Sequence, residues 1–133
     1  MRNLMLTTAL ICGTAVSAQA PDTLIRYVIR QQFEAFKADD VETAFTFASP
    51  MIEQMFGTPE RFGQMVQNGF PMVWRPADVT FGGLTQRDGR TVQNVVIKDQ
   101  AGTIHVLEYE MIETSAGWEI NGVRFLRPGE LGA

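Results

Sequence analysis

Two hydrophobic rhythms follow one another in this chain and do not mix. From Asp22 to about Gly69 the apolar residues recur every three or four positions; from Asp78 to about Leu126 they alternate in short runs between tight turns. The first period winds an apolar stripe along helices, and the second gives strands one apolar face. Helices first and strands second point to an α+β domain, because each set must bury its apolar side against the other.

The helix boundaries carry local signals. Leu24, Ile25, Val28, Ile29, Phe33 and Phe36 form one face of a first helix, with Arg26, Arg30, Glu34 and Lys37 on its polar side. Asp22, just after Pro21, is placed to cap it. The pattern stops at Asp39-Asp40, and Asp40 is placed to cap a short second helix carrying Val41, Ala44, Phe45 and Ala48. Ser49-Pro50 and Thr58-Pro59-Glu60 repeat one start signal, a capping hydroxyl followed by proline in the first turn. The first of these two helices ends at Gly57; the second, lined by Phe62, Met65 and Val66, closes near Asn68-Gly69. Phe70 to Pro76 is rich in prolines and bulky apolar groups, which predicts an extended connector packed over the core.

Four strands are expected beyond it, over Val79–Gln86, Thr91–Lys98, Thr103–Glu113 and Trp118–Leu126. Asp88-Gly89 is a hairpin turn, while Gly82-Gly83 and Asn121-Gly122 mark bends or bulges. Consecutive antiparallel pairing makes a four-stranded meander whose one face the helices must cover.

This order resembles the nuclear transport factor 2-like superfamily, also called cystatin-like or SnoaL-like. The resemblance rests on Phe33-Glu34-Ala35-Phe36-Lys37-Ala38-Asp39-Asp40, on Gly57-Thr58-Pro59-Glu60-Arg61-Phe62 and on Gly117-Trp118-Glu119-Ile120. It implies a curved antiparallel sheet wrapped around helices, a cone with a pocket at its mouth. More closely, Phe45-Thr46-Phe47-Ala48-Ser49-Pro50, Gly69-Phe70-Pro71 with Arg75-Pro76, and Gly117-Trp118 with Gly122-Val123 resemble a bacterial exported domain-of-unknown-function family, number 4864. That resemblance spans Asp22 to Phe125 and implies a fold but no activity. The superfamily's ketosteroid isomerases use a first-helix tyrosine and a carboxylate base. The corresponding positions here fall on Phe33 and near Phe56, which exchange no proton, so the resemblance does not carry that chemistry.

The first residues read as an export signal. Arg2 supplies a positive start, Leu4 to Val16 is apolar, and small residues follow through Ala20. Cleavage is expected after Ala18, with Ala20 the alternative; a cut after Ala20 would place Pro21 next to the scissile bond. The apolar run is short of the about 20 residues that span a bilayer, which argues against an uncleaved anchor. Cys12 lies inside this segment and follows Ile11, not the small residue that a lipid-modified cysteine requires. The mature chain then has no cysteine, hence no disulfide and no thiolate chemistry. The expected location is periplasmic or secreted. The mature part divides into a single domain over 22–126 and a tail over 127–133. A net charge of −4 without a basic cluster disfavours nucleic acid and anionic lipid. No stretch after the signal could span a membrane, and nothing calls for a cofactor or a metal.

Candidate site residues are few. His105 is the single histidine and alternates onto one strand face with Leu107, Tyr109 and Met111. If that face is concave, His105 and Tyr109 line the pocket and could do acid–base work; otherwise His105 is an inert, hydrogen-bonded edge residue. Glu108 and Glu110 share the opposite face, expected to be solvated. Asp39 is a possible carboxylate at the cone mouth or simply a helix end. Trp74-Arg75 could hold a carboxylate ligand, or Arg75 could pair with a neighbouring acid. Met51, Met55, Met65, Met72 and Met111 suggest either scattered core filling or a deformable apolar pocket.

These observations favour a noncatalytic exported module binding a small apolar or amphipathic ligand. Phe33, Phe36, Trp74, Arg75, His105, Tyr109 and Trp118 are the expected lining. One alternative is an isomerase or hydratase using His105 and Tyr109. Another is a homodimer through Ile104, Val106 and Ile112 on the outer sheet face.

Overall fold

The computed structural model describes residues 20–127. The expected signal segment, its cleavage after Ala18 and most of the tail lie outside the described residues. Five helices, α1 (Pro21–Lys37), α2 (Val41–Thr46), α3 (Pro50–Phe56), α4 (Pro59–Gly69) and α5 (Pro71–Trp74), precede four strands, β1 (Asp78–Arg87), β2 (Arg90–Lys98), β3 (Ile104–Thr114) and β4 (Gly117–Phe125). The strands pair consecutively and antiparallel in a curved, unclosed sheet, with the helices packed on one face.

The caps work as short-range hydrogen bonds. Asp40 accepts from the Thr43 backbone N–H, Ser49 from Ile52 and Thr58 from Arg61. Asp22 does not cap α1. The helix begins one residue earlier, at Pro21, with Ala20 at the cap position and no side-chain bond. A proline at the first helical position needs no N–H partner, so Asp22 falls inside the first turn, where it favours the positive end of the helix dipole. The connector is not extended either. Pro71 opens a single helical turn, α5, which buries Met72 and Val73.

Both glycine-marked irregularities occur as expected. The β1–β2 register shifts between Phe81 and Leu84, across Gly82-Gly83. The β3–β4 register pairs Glu110 with Gly122 but Met111 with Ile120, so Asn121 is the extra residue of a bulge.

The core lies between α1 and the inner faces of β2 and β3. Ile25, Ile29 and Phe36 from α1 meet Val95, Ile97 and Leu107, all without solvent exposure. Burying each such side chain contributes about 1.5–3 kcal/mol. Helix α4 crosses close over α2 at Gly63, where a Cβ would sit 2.6 Å from Val41 Cγ1; only glycine permits that approach.

The outer face is not simply solvated. Glu108 is buried beneath Arg87 and Arg124, which both pair with its carboxylate, and Arg124 stands directly opposite it on β4. Glu110 pairs with Arg90 at 3.2 Å. The guanidinium groups supply counter-charge and hydrogen bonds to these carboxylates in place of water.

Candidate functional site

The bulge in β4 creates the site. Around it, residues 47–49 run alongside the strand as a short parallel bridge: Ile120 N–H donates to the Phe47 carbonyl and Ser49 N–H to the Ile120 carbonyl, both at 2.8 Å. The extra residue, Asn121, accepts from Ser49 Oγ at 2.8 Å and donates to Glu110 Oε2 at 2.9 Å. Ser49 is fully buried and also caps α3, so the first turn of α3 is tied to the sheet. At its other end α3 stops at Gly57, whose φ of 78° reverses the chain into α4. Between these ends α3 fully buries none of its residues; Ile52 and Phe56 are half-buried against the core, Phe56 with its ring 5.7 Å from that of Phe62.

Beneath α3 lies a cavity of about 360 Å³, bounded by α3, α4, α5 and the bulged end of β4. Met51, Met55 and Phe56 line it from α3, and Phe62, Met65 and Val66 from α4. Ile120 and Val123 form the sheet wall, while Phe36 and Tyr109 reach it from the core. Half or more of Met51 and Met55 is exposed, which places them at the mouth. No charged side chain borders the cavity; its polar side chains are Gln32, Asn121 and Tyr109. Gln32 donates its amide N–H to the Ala44 carbonyl, and Asn121 is engaged at both ends. The Tyr109 hydroxyl has no partner, and burial pushes the phenol well above its ordinary range, so it stays protonated.

Of the seven residues expected to line the pocket, Phe36 and Tyr109 meet at this cavity and the other five do not; of the methionines singled out beside them, Met51, Met55 and Met65 border it. Phe33 packs in the core beside Tyr109, ring centroids 6.3 Å apart. Trp74 stacks obliquely on Phe36 at 5.4 Å, behind the cavity wall. Arg75 donates to Asp39 and to the Phe36 carbonyl, and its guanidinium lies 5.0 Å from the Trp74 ring. Asp39 thereby ends α1 in a left-handed conformation, φ 57°, with its carboxylate paired. Trp118 borders a separate shallow depression with Tyr27, Val28 and Phe47.

His105 lies farther along the same strand face as Tyr109 but away from the cavity. Its Nε2 is 2.8 Å from Asp99 Oδ2, in the β2–β3 turn. The His105 hydrogen bond, and then that from the Thr103 N–H, hold the Asp99 carboxyl below its ordinary value. Neither member of this dyad borders the cavity. Among the described residues no group of three or more His, Cys, Asp or Glu could hold a metal ion.

The residues that sequence reasoning missed are Gln32, Asn121 and the role of α3. The spacing of Met51 and Met55, four apart, was the available signal, since it places both on one side of a short helix. Nothing local told that this side would face a void.

A comparison with curated proteins finds no match. The family described as Domain of unknown function (DUF4864) matches residues 18–132. With nearly its whole length covered, including every element that builds the cavity, the chain belongs to that family.

Proposed function

We propose that this protein is a noncatalytic binding module for a small apolar or amphipathic molecule, held in the cavity beneath α3. The observation that carries the reading is the cavity itself: about 360 Å³, walled by methionine, phenylalanine and aliphatic side chains and free of charge. Pockets of this size and lining suit small organic ligands. Flexible methionines at the mouth let the wall adapt to the guest. Helices over a curved meander with a cavity between them support a place in the nuclear transport factor 2-like superfamily.

Binding is favoured over catalysis because His105 is engaged with Asp99 and does not border the cavity. It is favoured over a sheet-face dimer because Glu108 and Glu110, with their arginines, stand between Val106 and Ile112 on β3. We place the module outside the cytoplasm. The basic start, apolar run and small residues before Pro21 support export, and the family match begins only at residue 18. No helix among the described residues is long and apolar enough to cross a membrane.

Titration with the neutral fluorophore phenylnaphthylamine tests the reading. Saturable binding is expected, weakened about tenfold or more by Met51→Asp, which sets a charge at the mouth. A folded protein that takes up no probe, or binding indifferent to Met51→Asp, overturns it. Native mass spectrometry of protein purified gently from the producing cells would then identify the natural guest.

A further inference from the structure

The cavity contains one group that a purely apolar guest would leave unsatisfied. Tyr109 is 1% exposed, borders the cavity, and has no hydrogen-bond partner for its hydroxyl. Buried polar groups are almost always paired, and a lone one is destabilising unless something completes it. Phenylalanine would fill the same volume without that penalty. The neighbours do not meet the phenol. Gln93, its cross-strand partner, directs its amide N–H groups to the Gly82 and Asn94 carbonyls, and its Oε1, itself buried and unpaired, makes no hydrogen bond with the phenol. Gln32 donates to the Ala44 carbonyl, and Asn121 is held by Ser49 and Glu110.

Resting on the pocket reading above, we propose that the ligand is a neutral, mostly apolar molecule bearing a single hydrogen-bond acceptor, such as a carbonyl oxygen, to which Tyr109 donates. Neutrality follows from the wall: no cation borders the cavity, so a carboxylate or phosphate would lose its hydration without a counter-charge. The phenol stays protonated in this setting and is therefore available as the donor. Tyr109 thus fixes the orientation of the guest, with the acceptor at the sheet and the apolar remainder toward Met51 and Met55 at the mouth.

An isosteric pair of probes tests this, acetylnaphthalene and isopropenylnaphthalene, which differ in a carbonyl oxygen against a methylene. Affinities are measured by displacement of phenylnaphthylamine from the wild-type protein and from Tyr109→Phe. The variant should weaken the ketone about three- to tenfold and leave the hydrocarbon within about twofold. The empty variant should melt no lower than wild type, because it loses a hydroxyl that bonds to nothing. If both probes bind and respond alike to the substitution, the Tyr109 inference falls while the pocket reading stands. A clear drop in the melting temperature of the empty variant also overturns it, since the hydroxyl would then be bonded within the protein. If the wild type takes up no phenylnaphthylamine, the pocket reading fails and this inference with it; if the fluorophore binds and neither probe displaces it, the Tyr109 inference falls alone.

Discussion

Helices α1 and α3 carry the same kind of sequence pattern and meet different fates. Along its 17 residues α1 drives Ile25, Ile29 and Phe36 to zero exposure against the sheet. Along its 7 residues α3 fully buries none, leaves Ile52 and Phe56 half-buried and Met55 at 64% exposure. Their apolar content does not explain this. Helix α1 packs on the inner faces of β2 and β3, whereas α3 is tied at its ends, by Ser49 on the β4 bulge and by the turn at Gly57, with Ile52 and Phe56 half-buried between them. The lesson is that apolar side chains supplied but only partly packed mark the side on which the proposed binding cavity opens. The packed side supplies the stability that an open cavity takes away.

The contrast can be broken most forcefully at α1. Ile29→Ala should cost about 2–5 kcal/mol in denaturant unfolding, because a fully buried site cannot collapse around the lost methyls. A cost within the range of a surface change would mean that the α1 seam is as loose as the α3 side. Ser49→Ala removes both the α3 cap and the bond to Asn121 and should cost about 1 kcal/mol. Faster phenylnaphthylamine entry and exit in stopped flow should accompany it, since α3 loses its tie to the sheet; unchanged kinetics would show that α3 does not govern access. Met55→Ala should change stability by less than about 0.5 kcal/mol yet weaken the probe about threefold. Equal effects on stability and binding would erase the distinction between the two helices.

The smallest expected effect lies away from both helices. Asp99 is held below its ordinary carboxyl value of 3.8, first by its bond with His105 and then by the Thr103 N–H. A depressed carboxyl contributes stability that is complete above the ordinary value and is lost as pH falls through the lowered one. The stability gap between wild type and Asp99→Asn should therefore be present near neutrality and close in strong acid. Probe binding should not follow it, because the dyad does not border the cavity. A gap that widens on acidification would reverse the assigned direction.

Much of the fold was legible because its signals are local. Asp40, Ser49 and Thr58 cap helices within three residues of themselves, and Asp88-Gly89 turns a hairpin by its own backbone freedom, with φ positive at both positions. Errors arose where neighbours competed for one role. Pro21 outranked Asp22 at the start of α1, and Pro71 started a helical turn where flanking prolines suggested extended chain. The site was legible only in part. Alternation correctly set His105 and Tyr109 on one strand face, but four residues along a strand separate them by about 13 Å. Glu108 fell on the outer face as expected, yet its burial depends on Arg87 and Arg124 arriving from two other strands.

The sequence alone determined the class of every element but α5, the caps of α2, α3 and α4, the Asp88-Gly89 turn, the consecutive strand order and the positions of both bulges. All of these follow from side-chain period and from hydrogen bonds spanning a few residues. Tertiary structure alone decided that the apolar side of α3 would face a void, that Tyr109 would be buried without a partner, and that Glu108 would be covered by arginines. These depend on distances between segments far apart in the chain, which the sequence period does not encode. The bulge at Asn121 joins the two levels: its glycine neighbour announces the irregularity, but only the folded sheet shows that it anchors α3 and opens the cavity.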